Sequence, residues 1–296
     1  VAIAFDNHPS FREYAEPGRL VSASWLSARL GVNGLHVVEC NEDSVLYNIG
    51  HLPSALRINP DELIDPTTLD IIDGEGFSAL LSRLGIGRDD TVVFYGDRSN
   101  RWACFALWVF ELFGHPDTRI LDGGREGWMQ EERDTSLSPA LVLSPSHYPV
   151  CERDDSDARA FVDELADDDS ITAIDVRSAA EFSGLPSEQA AAHSELGSGP
   201  GAVTARRQGH VPGAKHLPWK SLITPSGMFR SRKELEKVWP AQSSVIYSQV
   251  GARAALVWFI GRFLLGHTET RIYDGGWSEW GNMVGMPIET GSDAEE

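Results

Sequence analysis

The chain has 296 residues, 42% of them hydrophobic, and a formal net charge of −19. That length suits two domains with ordinary cores. The strongly negative charge argues against nucleic acid and anionic membranes, whose binding calls for clustered Lys and Arg.

No stretch approaches the roughly 18 apolar residues of a membrane span. The opening segment carries Asp6, Arg12, Glu13 and Glu16, where a secretory signal needs an unbroken apolar run. His36–Cys40 is a short β-rich run, followed by helical apolar spacing at Phe77–Leu84. Thr91–Tyr95 reads as a second strand, Arg101–Phe113 as a helix, and Arg119–Leu121 as a strand closed by Asp122-Gly123-Gly124. Residues 139–157, with prolines and a Ser-rich start, read as a linker between domains at 1–138 and 158–296. Beyond it, Thr172–Val176, Ser243–Tyr247 and Thr270–Tyr273 are strand candidates and Arg253–Leu265 a helix. Strands alternating with helices imply an α/β fold, a mainly parallel sheet with helices on both faces. The cysteines Cys40, Cys104 and Cys151 are few, odd in number and far apart. No metal spacing exists among them, and a reducing cytoplasm fits best.

The chain repeats itself. Phe113-Gly114-His115, Thr118-Arg119-Ile120, Asp122-Gly123-Gly124 and Trp128 return 152 positions later as Leu265-Gly266-His267, Thr270-Arg271-Ile272, Asp274-Gly275-Gly276 and Trp280. Upstream, Gly50-His51-Leu52-Pro53-Ser54-Ala55 returns 159 positions later as Gly209-His210-Val211-Pro212-Gly213-Ala214. Five ordered matches make one domain written twice. The second copy carries an insertion, roughly Gly184 to Gln208, whose Ala, Gly, Ser and Glu content reads as a mobile loop.

Val245-Ile246-Tyr247 runs into Ser248-Gln249-Val250-Gly251-Ala252-Arg253 and then a helix. A strand, a short glycine-bearing loop and a helix start converge backbone N–H groups with the positive end of the helix dipole, which suits an anion. A plain strand–helix turn, with Gly251 supplying an awkward backbone angle, reads equally from the same residues. The first copy has Gly96-Asp97-Arg98-Ser99-Asn100-Arg101 there. It has no nucleophile, and Asp97 opposes an anion, so the second copy is the candidate site.

As an ordered set these motifs resemble the tandem-domain rhodaneses, the thiosulfate and 3-mercaptopyruvate sulfurtransferases. The set includes Asp175-Val176-Arg177-Ser178 with Glu181-Phe182-Ser183-Gly184, and the likeness spans roughly Leu20 to Glu289. It implies two tandem rhodanese-like domains, the first without catalysis, and a small thiosulfate-like sulfur anion as substrate. No cofactor or metal is called for, and no protein partner is named. The thiosulfate-type loop, Cys-Arg-x-Gly-x-Arg, is the closer match. This chain keeps Gly251 and Arg253, but has Ser248 at the cysteine and Gln249 at the first arginine. The resemblance makes Ser248 the catalytic position, Gln249, Val250, Gly251, Ala252, Arg253 and Arg177 the anion contacts, and Asp175 a support for the loop. Arg177 is expected to face the anion or to pair with Glu181.

The family's chemistry passes sulfur through a cysteine persulfide, using a thiolate whose pKa falls from about 8.5 beside loop N–H groups and a helix start. A serine hydroxyl stays protonated, and an O–S adduct stores sulfur poorly. Sulfur transfer is therefore expected to be lost or strongly reduced, leaving a pseudoenzyme or an anion- or partner-binding regulatory module. A serine hydrolase requires a histidine base beside Ser248, and His210, His216 and His267 read as turn and packing residues.

Overall fold

The computed structural model describes residues 3–142, 145–168, 170–185, 204–240 and 244–291. Most of the insertion expected at Gly184 to Gln208 lies outside them, as does Ser243. The chain forms two units, Val1–Asp154 with Pro225–Phe229, and Asp155–Thr224 with Arg230–Glu296.

The first unit runs β1 (Leu20–Val21), α1 (Ala23–Ser27), β2 (Leu35–Glu39), β3 (Leu56–Arg57), α2 (Gly74–Leu84), β4 (Thr91–Tyr95), α3 (Arg101–Leu112), β5 (Thr118–Leu121) and α4 (Gly124–Gln130). Its sheet has the order β1-β5-β4-β2-β3, and every pair is parallel. All five residues of β4 are buried, as expected of a central parallel strand covered on both sides. Asp73 caps α2 through the Gly76 N–H at 2.9 Å, and Gly85 at φ 73° ends it. Ser78 Oγ donates to Tyr148 O at 2.6 Å, and Tyr148 is itself buried, so the segment read as a linker packs on this unit.

The second unit runs α5 (Val162–Asp167), β6 (Ala173–Asp175), α6 (Ala179–Phe182), β7 (Lys215–His216), α7 (Arg232–Val238), β8 (Val245–Tyr247), α8 (Gly251–Phe259), β9 (Arg271–Tyr273) and α9 (Gly276–Trp280). Its parallel sheet has the order β7-β6-β8-β9. A single parallel bridge from Arg159 to Ile272 stands where the first unit has β1. The two-residue strands β1, β3 and β7 are too short to show a period in sequence. The helix expected at Arg253–Leu265 instead starts at Gly251 and becomes a π-helical turn over Ile260–Leu265. No helix among the described residues is long and apolar enough to cross a membrane.

Candidate functional site

Strand β8 carries the chain from Tyr247 straight into Ser248, and α8 begins three residues later. Ser248 has no exposed surface. Its hydroxyl donates to the Val250 carbonyl and accepts the Ala254 N–H at 3.2 Å. Val250, in extended backbone at φ −136°, precedes the helix and provides no side-chain cap. The first N–H groups of any helix lack intrahelical acceptors; in α8 the Ala254 N–H finds one in Ser248 Oγ, which places Ser248 at the positive end of the helix dipole.

The loop is bolted to α9. Trp277 N–H donates to Ser248 O at 2.8 Å, Ser278 N–H donates to Gln249 O at 3.0 Å, and Gln249 Nε2 donates to Ser278 Oγ at 3.1 Å. Gly276 has φ +55°, and a Cβ there would lie 2.3 Å from Ser248 O, so only glycine fits. The first copy repeats this joint: Arg125 N–H donates to Gly96 O at 2.9 Å, beside Gly124 at φ +55°.

Both site arginines are buried and paired. Arg253 makes a two-pronged ion pair with Glu181, both contacts 2.9 Å. Burial alone raises the Glu181 carboxyl, but the Arg253 guanidinium brings it down to about 2. Ser178 caps α6 and donates to the same carboxylate from N at 2.9 Å and from Oγ at 2.8 Å. Arg177 holds Asp175 through Nε at 3.0 Å and Nη2 at 2.6 Å, and donates to Gly209 O at 2.7 Å. The expected Arg177–Glu181 pair is therefore not the one formed, because Asp175 is two residues away on the same strand end. Asp175 supports Arg177, including its N–H at 2.9 Å, rather than the 248–253 loop. The sequence offered Glu181 as a partner for Arg177, and the structure makes it the N3 residue of a capping box from Ser178. Its arginine partner is 72 positions away.

The first copy's loop is filled from within. Arg98, Ser99 and Asn100 all have left-handed φ, 46°, 61° and 66°. Asn100 Oδ1 takes the Gly96 N–H at 2.9 Å, Asn41 Oδ1 takes that of Asp97 at 2.9 Å, and Glu126 takes that of Arg98 at 2.6 Å. The Asp97 carboxylate accepts the N–H groups of Glu42 and Asp43 at 2.8 and 3.2 Å. The N–H groups of Gly96, Asp97 and Arg98 are thus spent on side chains and are not free for an anion.

Each half matches the rhodanese-like domain model, over residues 22–131 and 158–283. The chain belongs to the rhodanese family. This rhodanese is 54% identical over 304 aligned residues, 100% of this chain and 98% of the relative, to a thiosulfate sulfurtransferase of Corynebacterium glutamicum. It is 45% identical to the putative thiosulfate sulfurtransferase SseA of Mycobacterium tuberculosis, over 97% of this chain and 96% of that one. It is 37% identical to the sulfur carrier protein TtuD of Thermus thermophilus, over 95% and 99%. Among solved structures, wild-type EanB superposes with a TM-score of 0.78 at 22% identity, covering 94% of this chain and 70% of that one. That likeness speaks to the fold.

Among the described residues, the Ser248 hydroxyl bonds backbone groups, the Val250 carbonyl and the Ala254 N–H. All three cysteines lie in the first unit. Cys40 and Cys104 are fully buried, and burial pushes both thiols up. His210 Nδ1 donates to Phe182 O at 2.7 Å, and His216 Nε2 sits 2.9 Å from Arg177 O. No group of three or more metal-ligating side chains exists among the described residues.

Proposed function

We propose that this rhodanese has lost, or strongly reduced, the sulfur-transfer step of its thiosulfate sulfurtransferase relatives and keeps the second unit's loop as a cradle for a small sulfur-containing anion. The observation that carries the reading is the side chain at position 248. The loop's approach strand, glycine and helix start are those of a persulfide site, and the atom at its centre is oxygen. Sulfur exchange proceeds by thiolate attack on sulfur. A hydroxyl whose proton goes to the Val250 carbonyl has no base to activate it. The same bond weighs against a serine hydrolase. With Arg177 and Arg253 neutralised by Asp175 and Glu181, the anion's donors are the backbone N–H groups of Val250, Gly251 and Ala252, with Gln249 beside them.

The test is thiosulfate-to-cyanide transfer, read as thiocyanate, on protein whose mass confirms serine at 248. Background turnover is expected, and Ser248→Cys is expected to restore part of the activity. Clear turnover by the unaltered chain overturns the proposal. An inert Ser248→Cys variant would mean that Gln249 and the following alanines have dismantled the cradle as well.

A further inference from the structure

The Asp-Gly-Gly motif is used differently in the two copies. Arg159 grips Asp274 in the second at 2.8 and 3.0 Å. Asp122 in the first is nearly buried, 9% exposed, and pairs with no cation among the described residues. Its Oδ1 accepts the Phe229 N–H at 3.0 Å. Phe229 belongs to Pro225–Phe229, which comes from the second repeat of the sequence and packs as part of the first unit. Gly227, at φ +80°, turns the segment so that its Cα side faces Ser99 Oγ and Gly123 O, 3.5 and 3.7 Å from where a Cβ would stand. Met228 Cγ lies 3.4 Å from the Cβ position of Gly123.

The matching turn of the first copy, 159 positions earlier, is Pro66-Thr67-Thr68-Leu69-Asp70. That turn satisfies itself: Asp65 Oδ1 takes the N–H groups of Thr67 and Thr68 at 2.7 and 3.0 Å, and Leu69 is 62% exposed. In the second copy Thr224 stands at the position of that aspartate, and the Phe229 N–H donates to Asp122.

We propose that the first unit's silent loop, with the Asp122–Gly123 corner beside it, is a receptor for a peptide turn, that its occupant is the chain's own Pro225–Phe229, and that Asp122 is the positioning residue that holds it. The surface fits a short turn with a left-handed glycine followed by apolar residues, presenting one N–H to the buried carboxylate.

Hydrogen exchange at the Phe229 amide, resolved by NMR in the full chain, tests this. Asp122→Ala removes the acceptor and is expected to raise exchange at Phe229 roughly tenfold or more, with α3 amides unchanged. Asp122→Asn keeps a carbonyl in place and is expected to retain protection. Gly227→Val, which strains the turn without touching the acceptor, is expected to expose Phe229 as Asp122→Ala does and stands in for it if that variant fails to fold. Unchanged protection in Asp122→Ala, or in Gly227→Val, overturns the proposal. So does an Asn variant as exposed as the alanine one.

Discussion

The Arg177 guanidinium lies 4.6 Å from the centre of the Trp277 ring, and this contact is a rearranged version of one in the first copy. There the buried acid at the strand end is Glu39, and its arginine is Arg125 of α4, at 3.2 Å. Trp277 occupies the position of Arg125, and Arg177 that of Asn41. The charge has moved from the helix to the strand end, and an aromatic ring fills the vacated place. Trp277→Ala removes a fully buried ring and is expected to cost about 3–5 kcal/mol, read as a urea midpoint. Trp277→Arg combined with Arg177→Asn recreates the first copy's pattern and is expected to be more stable than Arg177→Asn alone, which leaves Asp175 buried without its cation.

Glu181→Gln is expected to cost about 3–5 kcal/mol near neutral pH, because it strands the Arg253 charge. The Glu181 carboxyl is held down to about 2 in the fold against 4.5 ordinarily. Its contribution, about 3 kcal/mol, is therefore present above pH 4.5 and is lost as pH falls through 2. Melting curves of wild type and variant should converge across that window. A gap that stays constant from pH 5 to pH 2 would contradict the pairing.

Asp122 titrates in the opposite sense. Burial pushes its carboxyl up to about 6, against the hydrogen bonds from Phe229 and Gly123. A raised acid favours the fold below its ordinary 3.8 and loses that contribution as pH rises through 6, up to about 3 kcal/mol in all. Asp122→Asn keeps the acceptor and removes the buried charge. It should melt higher than wild type at pH 8, with the advantage shrinking through pH 6 and gone below pH 4.

Ser248→Ala deletes the acceptor of the Ala254 N–H and the bond to Val250 O. A loss of about 1 kcal/mol is expected in chemical denaturation. Thiocyanate production should remain at the wild type's background. A measurable fall would mean that the hydroxyl takes part in turnover.

The repeat, the α/β class and the position of the second loop were legible in the residues because glycines and short apolar strands are local signals. Gly276 and Gly124 mark corners where no side chain fits, and they belong to one of the five motif matches that aligned the two halves. That position 248 carries a serine is likewise a fact of sequence. Pairing was another matter. Which acid holds Arg253, which residue takes the arginine's place in each copy, and that Phe229 delivers its N–H to Asp122 rest on groups 72 and 107 positions apart. Charge partners inside a core are chosen by proximity and shared burial, and local sequence carries neither. Only the tertiary structure decided them.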